Sequence, residues 1–416
     1  MDAKHLDFEL ENLIGDAGIK VRGLGVIVYK DGAEIYSKFL GRRNIDKNLS
    51  KPVTRDTRFR AASISKMFTI FTVMQLFEEG KINLDDDAGK YLNFPLRNPN
   101  CPQKKITVKM LACHTSSIRD GKIYSIPPEN GIEEIFSPAG KFWEGGAHFA
   151  PAEEKIGEHF HYCNLNYGIL GTIIENVTGE RFDVYQRKNI LRQLETKADY
   201  LPGNLERAEF EMLGAVTDIH GVVDDHKNVQ PARDTIALEN PYDRNFQPRY
   251  SLKNYRVGTN ATIFSPQGGL RISFEEMTHA LEMLMNGGVY RGKKILSEKS
   301  VDTILTPHWV YNPENKNGDT YGGAILSYGL GIYFIDGGSS NRVCKNFEIN
   351  LVGHTGEAFG MLSGIFFVPK TKIGFIYMMN GTAIDLDEDP RAKGEFSSNY
   401  IFEEKIMNPI CNLIRD

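Results

Sequence analysis

The sequence predicts an α+β fold: one antiparallel sheet built from both chain termini, flanked by helices, with a mostly helical domain inserted between the two halves. Three observations carry this. Residues 21–40 alternate and are β-branched, broken once at Lys30-Asp31-Gly32. The C-terminal third returns to short apolar, β-rich runs at 328–335, 347–352, 361–368 and 373–379. Between them lie helical patterns and long polar loops. Residues 1–80 with 265–416 therefore form the sheet domain and residues 81–264 the insert, with a pocket expected at the seam.

Each element has its own signal. Residues 21–29 and 33–40 read as a hairpin around Asp31-Gly32. Residues 63–79 include Met67, Phe68, Ile70, Phe71, Val73, Met74 and Leu76, apolar nearly all round, which predicts a buried helix ended by Gly80. Asn164 is placed to cap a helix over 165–177. Ser273 with Glu276 makes a capping box for a helix over 274–285, stopped at Gly287-Gly288. A closing helix over 398–407 is expected to end or kink at Pro409. Residues 200–264, with Pro202, Pro231, Pro241 and Pro248, read as a loop-rich wall or lid.

The 416 residues are 41% hydrophobic and 25% charged, the balance of a soluble globular protein. A net charge of −5 leaves no basic surplus for nucleic acid or anionic lipid. No apolar run is long enough to span a membrane. The start, Met1-Asp2-Ala3-Lys4-His5, has no signal-peptide core. Cys101, Cys113, Cys163, Cys344 and Cys411 are odd in number and scattered, which does not suggest a disulfide framework. The expectation is a cytoplasmic protein, the alternative a periplasmic or extracellular one whose export signal has been removed.

The chemistry is concentrated in three short elements. Ser63 and Lys66 stand three apart at the mouth of the apolar run, a spacing that puts both on one helical face. A serine hydroxyl needs a neighbouring base to become a nucleophile. A lysine can serve if burial lowers its pKa. Tyr162-Cys163-Asn164 forms the second element and His354-Thr355-Gly356 the third. Gly356 marks a close backbone approach, which a substrate could make.

Other candidates carry less. His159 and His161 could share a strand face, but no cysteine or carboxylate cluster has zinc spacing, so no metal is assigned. His114 reads as a buried, hydrogen-bonded residue rather than a base. Arg233, Arg244, Arg249 and Arg256 read as surface charges rather than carboxylate ligands.

In this order the three elements resemble the serine β-lactamase and penicillin-binding protein superfamily. The Tyr-x-Asn form resembles its class C β-lactamase-like branch, which includes D-alanyl-D-alanine carboxypeptidases, D-aminopeptidases and family VIII esterases. Leu111-Ala112-Cys113-His114-Thr115-Ser116-Ser117 is similar to a segment of that branch, with Ser117 where glycine is usual, and so is Gly268-Gly269-Leu270-Arg271-Ile272-Ser273.

The resemblance covers nearly the whole chain. It implies a β-lactamase/transpeptidase-like fold and a cofactor-free serine hydrolase acting through a covalent acyl-enzyme on a peptide, amide or ester. Ser63 would attack, with Lys66 and Tyr162 sharing the proton work. Either could be the base, and a tyrosine beside an ammonium could have a lowered pKa. Asn164 would hold Lys66 and the substrate. The backbone N–H groups of Ser63 and Glu357 would form the oxyanion hole, and His354, Thr355 and Gly356 would line the substrate. His354 stands where most β-lactamases of this superfamily have lysine. A partial charge there near neutral pH, with its own titration step, would favour D-amino-acid peptides or small esters over β-lactams. The alternatives are a β-lactamase, an acyltransferase using the same serine, or a penicillin-binding sensor that acylates without turnover.

Overall fold

The computed structural model of the protein describes residues 3–44, 51–123, 125–224, 230–238 and 249–415. The alternating N-terminal run forms β1 (Val21–Lys30) and β2 (Ala33–Gly41). Lys30 pairs with Ala33, so the turn is the two residues Asp31 and Gly32, both with positive φ (53° and 79°). That is the turn a tight hairpin demands.

Six strands of the C-terminal third complete the sheet: β3 (Trp309–Val310), β4 (Ser327–Tyr328), β5 (Tyr333–Ile335), β6 (Leu351–Ala358), β7 (Met361–Phe367) and β8 (Gly374–Thr382). The order across the sheet is β3-β4-β5-β6-β7-β8-β1-β2. The β1–β8 pairing, from Val21 opposite Thr382 to Tyr29 opposite Gly374, joins the two ends of the chain. All neighbours are antiparallel.

The main helices are α1 (Ala3–Asn12), α2 (Ser65–Glu78), α3 (Leu165–Thr178), α4 (Phe274–Met285) and α5 (Ile401–Arg415). The sheet is covered on both faces, which is why β7 and β8 read as unbroken apolar runs. On one side α4 lies so close that a Cβ on Gly374 would meet Leu281, and one on Gly25 would meet Phe274, each within 2.8 Å. On the other, the Tyr377 hydroxyl donates to Glu403 of α5 at 2.6 Å. The capping box of Ser273 and Glu276 forms as expected.

Helix α2 is the hub. Eleven of its fourteen residues are buried, including every one from Ser65 to Met74, so the Lys66 ammonium has no solvent face on which to be hydrated. Each large apolar side chain it buries, such as Phe68 or Phe71, contributes about 1.5–3 kcal/mol.

Four expectations are corrected. Residues 328–335 are two strands, not one. Gly331 turns between them at φ 66° because a Cβ there would strike Ile70 of α2 at 2.7 Å. The strand expected at 347–352 begins at Leu351 and continues to Ala358, held by its hairpin with β7 across Phe359-Gly360. The closing helix runs through Pro409 to Arg415. Proline removes one N–H, and the buried side of this helix, including Phe402, Ile406, Ile410 and Ile414, continues past it. The loop-rich stretch after residue 200 also holds short strands, with Val216–Asp218 pairing Gly221–Asp224 and Thr235–Ala237 pairing Arg249–Ser251. Arg244, Pro241 and Pro248 lie outside the described residues.

Candidate active site

Ser63 is not on the α-helix itself but in the single 3₁₀ turn Ala62–Ile64 that feeds α2. Ala62, just before it, has φ +47°, a left-handed conformation that costs an L-residue about 1–2 kcal/mol. The turn is clamped from two sides. The Ala61 N–H donates to Leu270 O at 2.8 Å, and Ser363 of β7 donates to Ala61 O at 3.0 Å. Gly356 of β6 explains itself here: a Cβ on it would lie 2.5 Å from Ala61 O. The close approach read from this glycine is made by the protein's own backbone rather than by a substrate.

Lys66 lies one turn on, fully buried, with Nζ 3.0 Å from Ser63 Oγ, 2.9 Å from Asn164 Oδ1 and 3.1 Å from Gln267 O. Burial lowers its pKa from the usual 10.5 to about 7, against the opposing pull of the Asp120 carboxylate. The neutral amine has two N–H bonds and one lone pair. Asn164 Oδ1 and Gln267 O can only accept, so they take both N–H bonds, and the lone pair faces Ser63 Oγ.

The amide of Asn164 is fixed in turn by Asp120, a residue the sequence reading missed. Its Nδ2 donates to Asp120 Oδ2 at 3.0 Å. A carboxylate only accepts, so Oδ1 must point to Lys66. Asp120 Oδ1 also accepts the Leu165 N–H at 2.8 Å and the Cys163 thiol at 3.2 Å. It therefore does the capping expected of Asn164, whose own side chain makes no cap bond. Gln267 was missed as well, although it directly precedes the Gly268-Gly269 segment.

The Tyr162 ring is partly exposed and lies 4.6 Å from Lys66 Nζ. Its hydroxyl is hydrogen-bonded with Ser63, but burial outweighs that and moves its pKa well above 10. The expectation of a lowered tyrosine pKa is therefore reversed. His114 is buried, as expected. It accepts the Cys163 N–H at 3.1 Å, and its ring lies tilted with its centroid 4.4 Å from that of Tyr162, which holds the loop carrying Tyr162 and Asn164.

His354 departs from its expected role. It is 2% exposed, and Tyr328 OH lies 3.0 Å from Nε2. Its Nδ1 bonds the Thr355 carbonyl, so that nitrogen carries the proton and Nε2 accepts. Burial, with the Lys66 charge adding to it, lowers its pKa to about 3. It is neutral near pH 7, so the expected partial charge and titration step do not hold. Thr355 Oγ1 lies 3.2 Å from the Tyr333 hydroxyl.

Ser63 opens into a cleft of 280 Å³ that also includes Asn164, Gln267, Gly268 and Glu357, whereas Lys66 and Tyr162 are not among its lining residues. His354 and Thr355 are not among its lining residues. Strand β5 pairs with β6 only at Leu351–Gly353, which leaves residues 354–358 hydrogen-bonded to β7 alone among the described strands. His159 and His161 do not join the site. His161 is pushed down to about 4, mainly by burial, and His159 lies 3.5 Å from Glu154. Among the described residues no cluster of three His, Cys, Asp or Glu could hold a metal, and no helix is long and apolar enough to cross a membrane. Arg233 pairs with Glu206 at 3.0 Å, as a surface charge would.

The family model for Beta-lactamase matches residues 10–397. The chain belongs to the Beta-lactamase family. This membership supports a hydrolase. Protein flp of Staphylococcus aureus (strain MRSA252) is 27% identical over 194 residues, 47% of this chain and 38% of flp, so the match spans well under half of that relative. The octameric penicillin-binding protein homologue from Pyrococcus abyssi superposes with a TM-score of 0.61 at 24% identity, over 92% of this chain and 74% of that one. A D-stereospecific amidohydrolase from Streptomyces sp. superposes at 0.57 and 21% identity, over 92% and 95%. These likenesses show the β-lactamase/transpeptidase fold.

Proposed function

We propose that this chain is a serine hydrolase of amides or esters that works through a covalent acyl-enzyme on Ser63. One observation carries the reading: a dry lysine with a pKa of about 7, its lone pair directed at a serine hydroxyl 3.0 Å away.

Ser63 Oγ attacks the substrate carbonyl carbon and its proton passes to Lys66 Nζ, which then satisfies all three of its acceptors. Tyr162, neutral and hydrogen-bonded with Ser63, gives its proton to the leaving amine or alkoxide and regains one from Lys66. Water then repeats the attack on the ester, its proton going to Lys66, and Ser63 leaves as the free hydroxyl. The backbone N–H groups of Ser63 and Glu357 hold the oxyanion, each such donor contributing roughly 3 kcal/mol. The neutral His354 and the D-stereospecific amidohydrolase fold favour a D-amino-acid amide or small ester over a β-lactam.

Intact-mass analysis after fluorophosphonate treatment tests this. One adduct is expected, mapped to Ser63 and lost in Ser63→Ala. Ser65 is the control, since it is buried and its Oγ accepts the Leu270 N–H at 3.1 Å. Labelling there, or unchanged labelling of Ser63→Ala, would overturn the proposal.

A further inference from the structure

Tyr321 stands in a backbone conformation that its side chain resists. Its φ is +52°, and Gly322 and Gly323 follow at 68° and 90°, so the turn is left-handed for three residues running. Glycine takes such angles freely, whereas a residue with a Cβ is strained there. The turn is pinned from several directions. The Tyr321 N–H donates to Asp319 Oδ1 at 2.8 Å, and the Asp319 N–H donates to Phe160 O at 2.9 Å. The hydroxyls of Ser398 and Ser340 donate to Gly322 O and Gly323 O, at 2.8 and 2.9 Å.

Burial does not account for an aromatic residue in this place, because Tyr321 is 40% exposed. Strained residues held by their surroundings concentrate at functional sites, and this one borders Tyr162. The two rings meet edge to face with centroids 6.1 Å apart, and the Tyr321 hydroxyl donates to Tyr162 O at 3.3 Å. The His161 ring, which burial keeps neutral near pH 7, lies 6.4 Å from the Tyr321 ring. Tyr162 and His161 are themselves partly exposed, so the three rings form an aromatic wall that reaches solvent. Tyr321 is not among the residues that line the cleft beside Ser63.

We infer that Tyr321 is a specificity-determining residue that reads the leaving group. The amine or alkoxide that takes the Tyr162 proton extends past that ring onto Tyr321, and a planar, aromatic leaving group is preferred there. The inference rests on the serine-hydrolase reading and adds its leaving-group class. Aromatic rings packed at such distances attract beyond their burial, which corresponds to roughly a 2–10-fold preference for a planar group over an aliphatic one of the same size. The acyl half of the substrate lies in the cleft beside Ser63, so acyl-chain preference should not depend on Tyr321.

Two matched pairs test it: benzyl and cyclohexylmethyl butyrate, and N-benzyl and N-cyclohexylmethyl butyramide. Within a pair the acyl group is the same and the leaving groups are similar in size and basicity, so planarity is the main difference. Product release is followed by chromatography. In the wild type the benzyl compound should exceed its partner in kcat/KM by roughly 2–10-fold. Tyr321→Phe removes the bond to Tyr162 O but keeps the ring, so the ratio should persist. Tyr321→Leu keeps apolar bulk without a planar face, so the ratio should fall to about one, while the preference between benzyl butyrate and benzyl hexanoate stays as in the wild type. A variant in which both members of a pair lose activity equally, with the ratio kept, shows a bracing role only and overturns the inference. A wild-type ratio of one or less in whichever pair is cleaved overturns it without any variant. So does fluorophosphonate labelling of Ser63 with none of the four compounds cleaved. Failure to label Ser63 together with no turnover overturns the serine-hydrolase reading beneath it.

Discussion

Replacing Lys66 by arginine separates its charge from its basicity. An ordinary lysine is uncharged in about 4 molecules in 10,000 at pH 7, whereas Lys66, with a pKa of about 7, is uncharged in half of them. Burial thus raises the free-base population roughly a thousandfold. A guanidinium can donate to the same acceptors but does not release its proton in this range. Lys66→Arg is therefore expected to lower kcat/KM at pH 7 by at least about 10³-fold. Measured on a p-nitrophenyl ester from pH 5 to 9, the wild type should climb tenfold per pH unit below 7 and level off above it. The limb should vanish in the variant. Activity within tenfold of wild type, or a limb that persists, would refute the lone-pair argument. Stability gives a separate check. The folded pKa of Lys66 lies below its unfolded value, so between about pH 7 and 10.5 the unfolded chain binds more protons. Stability from this group therefore rises with pH across that window, and its burial cost is full below pH 7. Lys66→Met should flatten that slope and be neutral to stabilising by up to about 4 kcal/mol at pH 7.

Three further outcomes are expected. Asp120→Asn removes the carboxylate that orients Asn164 and the charge that raises the Lys66 pKa, so the acid limb should move to lower pH while kcat falls about 10–100-fold. A merely structural role would lower activity without moving the limb. Tyr162→Phe should lower kcat about 10²–10⁴-fold yet leave the limb in place, since its hydroxyl stays neutral over this range; a shifted limb would assign the base to Tyr162. In the wild type no inflection between pH 5 and 9 should belong to His354. His354→Lys should add a buried cation coupled to Lys66, lower the melting temperature and drive the Lys66 limb down. An inflection that this substitution simply deletes would restore the charged-histidine picture.

Much of the fold was legible because it rests on local pattern. The Asp31-Gly32 hairpin, the all-round apolar α2 and the Ser273/Glu276 capping box each carry their cause within a few residues. The corrected elements are those whose cause is distant. Gly331 breaks a strand because Ile70 stands behind it. Pro409 fails to stop α5 because the buried side of that helix continues beyond it. Residues 354–358 join β6 because the hairpin with β7 zips through them.

The candidate site divides along the same line. Ser63, Lys66, Tyr162 and Asn164 converge as their residue types and spacing imply, because a nucleophile, a base and an amide anchor are chemical roles that particular side chains must fill. What spacing does not carry is environment. Partly exposed Tyr162 borders the dry pocket that encloses Lys66, and burial moves the phenol pKa up and the ammonium pKa down, because each group resists its charged form. Under the proposed mechanism desolvation favours Lys66 over Tyr162 as the base, a physical variable that no motif records. His354 makes the same point in the third element. Burial, with the Lys66 charge adding to it, keeps the ring neutral, and Tyr328, 26 residues earlier, lies within hydrogen-bonding distance of it. Any effect of His354 on substrate choice must then come from the positive charge a lysine would have supplied and this ring does not.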